Sequence, residues 1–296
     1  MINEFNVLSL FDGMSCGQLA LNKAGIPYTN YYASEIDKYA KQITQSNYPN
    51  TIQLGDVNYI NAKDLPRINL LLGGSPCQNL SITTINNIKH NKGLQGDKSK
   101  LFYEYLRILN ETNPQHFLFE NVASMTTANR DLISAALECE PIRINSNLVS
   151  AQDRDRYYWT NIPGILQPAD RNIILHDIVE QNPPAKYWYT QSHTYQGDNE
   201  KVQALLNING HDILKRVYNL NGKCGTLTCL KGGNHQKKVF QYGKCRKLTP
   251  TEYERLQNVP DGYTAGVSDT QRYNLLGNGW TVGVISYIMK GIEDVC

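Results

Sequence analysis

Three short segments carry side chains able to do covalent chemistry on a ring. Gly73-Gly74-Ser75-Pro76-Cys77-Gln78 follows an apolar run, and its glycines and proline fix a turn that presents Cys77 outward. Phe119-Glu120-Asn121-Val122 offers a carboxyl, and Gln152-Asp153-Arg154-Asp155-Arg156-Tyr157 offers two guanidinium groups. A free cysteine taken alone is more often an inert buried residue than a nucleophile. A thiolate, a carboxyl and arginines brought together can attack, protonate and polarise a pyrimidine ring.

A second set suits an adenosine-type cofactor. Phe11-Asp12-Gly13-Met14-Ser15-Cys16-Gly17 follows a strand-like run and opens a helix, and its glycines permit tight turning and close backbone approach. It also matches the G-x-S-x-G elbow of serine hydrolases. That reading is set aside because the elbow normally follows several strands, whereas Ser15 stands near the start of the chain. Glu35 ends the next strand-like segment, where a carboxylate accepts from ribose hydroxyls, and Asp56 follows the third, placed to accept from an adenine amino group. These residues alone leave a nicotinamide and a sulfonium donor both open. The segment around Cys77 favours the sulfonium.

The elements that must position these residues alternate. Strand-like runs at Val7–Phe11, Tyr31–Ser34, Thr51–Leu54, Leu70–Leu72 and Phe117–Phe119 are interleaved with helical spacing over Gln18–Ala24, Asp37–Ser46 and Leu101–Glu111. Repeated strand–helix units with apolar strands predict an α/β fold around a mostly parallel sheet covered on both faces. Asp12, Glu35, Asp56, Cys77 and Glu120 each fall just after a strand, so they converge on the edge where open parallel sheets bind ligands. From about Pro163 to Cys245 the chain turns polar, turn-rich and aromatic, which predicts a smaller irregular domain; helical character returns at Thr249–Gln257 and Val282–Ile292.

Composition bounds the rest. The 296 residues suit one large domain and one smaller. No apolar run spans a bilayer and no leader-like segment opens the chain, so a cytoplasmic protein with no membrane partner is expected. Seven scattered cysteines without a CxxC pair are not a disulfide framework, and a zinc site from Cys224, Cys229, His235 and Cys245 is set aside because its spacing fits no common finger; no metal is expected. Net charge is only +2, but Ile213–Pro250 holds no acid and nine cations: Lys215, Arg216, Lys223, Lys231, Lys237, Lys238, Lys244, Arg246 and Lys247. Such a stretch can neutralise phosphates.

Taken in order, these segments resemble the C5-cytosine DNA methyltransferases, in a bacterial or phage form whose catalytic motifs are similar to the animal de novo enzymes. The resemblance implies a Rossmann-like, S-adenosylmethionine-dependent fold over 1–162, a target-recognition domain over 163–245, and a return to the catalytic domain over 246–296. It implies catalytic roles for Cys77, Glu120, Arg154 and Arg156. It implies a donor pocket of Phe11, Asp12, Gly13, Met14, Ser15, Glu35, Ile36, Asp56, Val57, Asn58 and Pro76, completed by Asn278, Gly279 and Trp280 in Leu276-Gly277-Asn278-Gly279-Trp280-Thr281-Val282. Contacts to double-stranded DNA fall on Gln78, Ser81, Gln152, Arg216, Tyr218, Thr226, Thr228 and Lys231. Implied chemistry is attack of Cys77 on C6 of a flipped-out cytosine, with protonated Glu120 at N3 and Arg156 near O2. A tRNA-directed member of the family and a catalytically silent DNA-binding homologue are the alternatives. The Cys-Phe-Thr tripeptide usual in the first is missing, and Cys77, Glu120 and Arg156 are all present against the second. No obligate protein partner is evident.

Overall fold

The computed structural model describes residues 4–75, 101–229 and 234–292. The chain divides into two compact units, Met1–Ile144 with Asp155–Gln167 and Ile285–Cys296, and Asn145–Arg154 with Pro168–Val284.

The first eight strands in chain order are β1 (Asn6–Leu10), β2 (Asn30–Ser34), β3 (Ile52–Gln53), β4 (Leu70–Gly73), β5 (His116–Val122), β6 (Ile142–Asn145), β7 (Gln152–Asp153) and β8 (Asp155–Thr160). All except β7 form one sheet, in the order β3-β2-β1-β4-β5-β8-β6. The five from β3 to β5 pair in parallel, and β5 pairs antiparallel with β8. The fold is therefore a mostly parallel α/β sheet, as the alternation predicts. Its order reverses between β1 and β4, which is the switch point where such sheets hold ligands.

Strands β1, β4 and β5 are buried along their whole length, because helices cover both faces. These include α1 (Cys16–Ala24), α2 (Lys38–Asn47), α3 (Leu101–Thr112) and α4 (Thr127–Leu137). Helix α1 stops at Gly25, whose left-handed φ of 76° lets its N–H bond back into the last turn. Helix α2 starts because the Asp37 carboxylate accepts from Tyr39 N and Ala40 N. Leu8, Leu10, Leu71, Tyr105, Phe119 and Trp159 pack in the core, where Trp159 Nε1 donates to Ser134 Oγ at 3.0 Å.

The second unit has its own sheet of β9 (His193–Tyr195), β10 (Val202–Leu206), β11 (Arg216–Tyr218), β13 (Lys238–Gln241) and β14 (Lys244–Lys247), in the order β14-β13-β11-β10-β9. Strand β12 (Cys224–Gly225) instead pairs in parallel with β7. The small apolar core of Ala204, Leu206, Val217 and Cys245 explains why no clear periodicity marks this region in the sequence. The unit also takes in Asn145–Arg154 and the helices Pro250–Leu256 and Asp269–Asn278, so it extends beyond 163–245. Buried polar bonds draw these segments in: Arg246 pairs with Glu252, and Gln152 bonds to Leu256 O and to Gln257. No helix among the described residues is long and apolar enough to cross a membrane.

Candidate active site

In the first unit the loop Phe11–Gly17 leaves β1 in a strained conformation. Phe11 and Ser15 take positive φ of 57° and 61°, unusual for residues with a Cβ. Gly13 donates its N–H to Glu35 Oε2 at 2.8 Å, while Glu35 Oε1 accepts from Ile36 N and Asp37 N, each at 2.7 Å. One carboxylate after β2 thus ties the loop to the next turn and keeps lone pairs for a further donor. Ile36 beside it is 71% exposed, an apolar side chain held out in water at a strand end. Asp56 caps the turn containing Val57 and Asn58, accepting from Asn58 N at 3.0 Å and Asn58 Nδ2 at 2.7 Å. Met14 is buried.

Asp12 and Ser15 are buried. Ser15 Oγ donates to Asp12 Oδ2, and Tyr31 OH donates to Asp12 Oδ1 at 2.7 Å. A fully buried hydroxyl committed to a carboxylate is no exposed elbow nucleophile, which removes the hydrolase alternative on structural grounds. Burial pushes the Asp12 carboxyl up to about 6, against the lowering effect of hydrogen bonds from Ser15, Ser9 and Tyr31; the Glu35 charge pushes it up further. The folded chain therefore holds an extra proton between about pH 4 and pH 6, and this group's contribution to stability falls as pH rises through that window. The change is on the order of 3 kcal/mol. Urea denaturation from pH 4 to 7 should show this slope, and Asp12→Asn should flatten it; equal slopes in both proteins would refute the assignment.

Across the switch point, Glu120 near the end of β5 and Arg156 on β8 form an ion pair, Nε to Oε1 at 2.7 Å, with both side chains 12% exposed. The antiparallel register sets them side by side, Val122 opposite Arg156 and Glu120 opposite Tyr158. Arg156 Nη1 is steadied by Asp155 O at 2.8 Å. Asn121 Nδ2 reaches Ser75 O and Ser75 Oγ at 3.4 and 3.5 Å, so the residue after Glu120 bonds to the residue two before Cys77. Pro76, Cys77, Gln78, Ser81 and Lys231 lie outside the described residues.

The remaining sites belong to the second unit. Gln152 is fully buried; its Nε2 donates to Leu256 O and Gln257 Oε1, and its Oε1 accepts from Leu227 N at 2.8 Å. Arg154 is 5% exposed and donates to the carbonyls of Leu227 (3.1 Å), Gly277 (3.3 Å) and Gly279 (2.9 Å). Arg154 thus joins the turn at Thr226–Thr228 to the segment carrying Asn278, Gly279 and Trp280, and Gln152 joins the same turn to Leu256 and Gln257. Gly277 permits the contact: a Cβ there would stand 2.5 Å from Thr228 O. Thr226 Oγ1 donates to Asp153 O at 2.6 Å, and Cys229 Sγ lies against Asn278 Oδ1. Thr228 and Asn278 are exposed, while Gly279 and Trp280 are partly buried. Arg216 pairs with Asp212 at 2.7 Å on the surface, and Tyr218 is buried.

Not all cations of the basic stretch face solvent. Lys237, Lys238 and Arg246 are buried, and Lys223 bridges Asn147 O and Asp170. The paired strands β13 and β14 bury most of their side chains, Lys238 and Arg246 included. Among the described residues no group of three or more His, Cys, Asp or Glu is placed to hold a metal.

Comparison with known proteins agrees with this arrangement. A family model described as C-5 cytosine-specific DNA methylase matches residues 5–294. The chain is 29% identical over 312 aligned positions to the type II methyltransferase M.NlaX of Neisseria lactamica, covering 98% of this chain and 96% of the relative. It is 25% identical to the type II methyltransferase M.HhaI of Haemophilus parahaemolyticus, covering 96% and 93%. Among solved structures, the methyltransferase EhMeth of Entamoeba histolytica superposes with a TM-score of 0.75 at 16% identity, covering 99% of this chain and 98% of that one. The S. pombe Dnmt2 methyltransferase superposes with a TM-score of 0.72 at 20% identity, covering 98% and 100%. With the sheet order, the donor loop and the Glu120–Arg156 pair, a match over almost the whole length decides the matter: this chain belongs to the C-5 cytosine-specific DNA methylase family.

Proposed function

We propose that the protein transfers a methyl group from S-adenosylmethionine to carbon 5 of a cytosine flipped out of duplex DNA, with Cys77 as covalent nucleophile. The reading rests on the Glu120–Arg156 pair, set beside Asn121, which bonds to the residue two before Cys77. The donor site fits the cofactor: Glu35 has acceptor capacity for ribose hydroxyls, exposed Ile36 offers an apolar face to adenine, and Asp56 offers a carboxylate to its amino group. Phe11, Gly13 and Val57 line the same strand ends, with Pro76, Asn278, Gly279 and Trp280 assigned to it by resemblance. When bound, the cofactor supplies a methyl group on a cationic sulfur, electrophilic enough for an enamine-like carbon.

The residues do the rest. C5 of cytosine is a poor nucleophile, so the Cys77 thiolate adds to C6 and shifts electron density to C5. With the base bound, Glu120 in its acid form donates a proton to N3, and Arg156, held by Asp155 O, stabilises negative charge at O2. After methyl transfer, a base takes the C5 proton, the C6–S bond breaks to release the thiolate, and the N3 proton returns to Glu120, which restores the ring. The cytosine must leave the stack for any of this, because its C6 is inaccessible within a duplex. The Glu120→Gln variant keeps the shape but loses the proton; kcat should drop about 10²–10³-fold with little change in KM for DNA. Steady-state label transfer checks this, and an unchanged kcat would remove Glu120 from the mechanism.

Contact with the DNA falls to Arg216, Tyr218, Thr226 and Thr228 in the second unit, with Gln78, Ser81 and Lys231 assigned by resemblance. Gln152 and Arg154, both buried, are assigned to positioning. Incubation with tritiated S-adenosylmethionine and duplex DNA or tRNA tests the substrate: acid-stable label in DNA cytosine supports the reading, and label only in tRNA replaces it with the RNA-directed alternative. Bisulfite sequencing of DNA from expressing cells would give the site. The type II relatives make a partnering restriction enzyme a natural setting.

A further inference from the structure

Three of the cations in the basic stretch are buried, and two of them are satisfied. Arg246 meets Glu252, and the Lys238 ammonium donates to Asn234 O at 2.7 Å and Gln236 O at 2.9 Å. Lys237 differs. It is 8% exposed, yet its ammonium has no hydrogen bond or ion pair among the described residues, although its nitrogen keeps contact with solvent.

Among the described residues no acid is bonded to the Lys237 ammonium. Arg216 lies near enough to oppose its charge. Cys224 is close, but burial pushes that thiol up to about 12 and keeps it neutral. Desolvation holds the Lys237 ammonium below the usual lysine range. Asp153 and Asp212 of the same unit are engaged by Lys201 and Arg216. Gly225 presents bare backbone here: a Cβ at that position would stand 2.9 Å from Tyr218 OH and 3.9 Å from Lys237 Nζ. A largely desolvated cation without a counter-charge costs the free protein stability, and an arriving anion relieves that cost.

We propose that Lys237 receives a backbone phosphate of the target DNA, in a seat made with Arg216 and Tyr218 and opened by Gly225. A phosphate fits better than a base edge because the seat lacks a full negative charge, which a neutral guanine acceptor does not bring. The proposal rests on the DNA-directed reading above, but its test does not depend on catalysis.

Wild type and Lys237→Met, which keeps the apolar stem, are titrated with mixed-sequence duplex DNA and with duplex carrying the mapped target site, between 50 and 200 mM salt. The variant should bind both duplexes about tenfold more weakly, and the slope of log K against log salt should shrink by about 0.9. Without DNA it should melt about 2–4 °C higher, since an unpaired buried charge is gone. An unchanged slope, or a loss confined to the target site, overturns the phosphate contact; so does a lower melting temperature with unchanged affinity, which marks a merely structural lysine. Wild type that binds duplex but transfers no methyl group sinks the methyltransferase reading while the slope still judges Lys237. Wild type that does not bind duplex at low salt overturns both.

Discussion

The Cys77→Ala protein is expected to lose methyl transfer by about 10⁶-fold, the scale on which enzymes respond to removal of a covalent nucleophile. Nothing else in the site supplies what the thiolate does. Glu120 and Arg156 withdraw electrons from the ring, but withdrawal alone makes C5 less able to attack a methyl group. Only addition at C6 reverses the polarity of that carbon. Oxygen is a poorer nucleophile near neutral pH, so Cys77→Ser should restore very little. Duplex DNA with 5-fluorocytosine at the target makes the adduct directly visible. The C5 proton that normally leaves is replaced by fluorine, which cannot depart as a cation, so the Cys77–C6 bond persists through denaturation. A denaturation-resistant complex in wild type and none in Cys77→Ala is the expected pair of gels. Methyl transfer that survives in Cys77→Ala would refute the covalent mechanism.

The largest stability loss is expected at Glu252, far in sequence from any reacting group. Glu252 and Arg246 are both fully buried and bonded at two points, with Oε2 also accepting from Thr249 N at 2.6 Å and Oε1 from Glu180 N at 2.8 Å. This pair fastens β14 to the helix Pro250–Leu256, which a Thr249–Glu252 capping box starts. Glu252→Ala strands a guanidinium and two N–H donors without water, at a cost of about 3–5 kcal/mol. Urea denaturation of the intact protein should register that loss in the transition that reports the second unit. The double variant Arg246→Met with Glu252→Leu should recover much of it, because an apolar pair leaves no buried charge behind. A loss under about 1 kcal/mol in the single variant would show that the pair is relieved by solvent.

Much of the first unit was legible in the residues. Apolar runs such as Leu70–Leu72 and Phe117–Phe119 read as buried parallel strands because helices cover both sheet faces, and the run itself records that burial. The glycines of Phe11–Gly17 marked the turn that leaves β1, where Gly13 takes a positive φ. Less legible were β6, β8 and helix α4; in β8, for example, two charged residues run straight into three aromatics and carry no simple apolar period. The same limit explains Gln152, whose amide reads as a contact residue until the fold buries it among backbone groups.

The sequence by itself determined the chemistry on offer: a cysteine after a Gly-Gly-Ser-Pro turn, a carboxyl and arginines at later strand ends, and acids suited to an adenosine donor. Covalent order and local turn propensity carry that information. Only the tertiary structure decided which charges face water. Glu120 pairs with Arg156 through an antiparallel register, Arg154 closes on three carbonyls, and of the cations at 237, 238 and 246 only Lys237 is left unmatched among the described residues. Such outcomes depend on what lies across the sheet, and a linear pattern does not specify partners a hundred residues away.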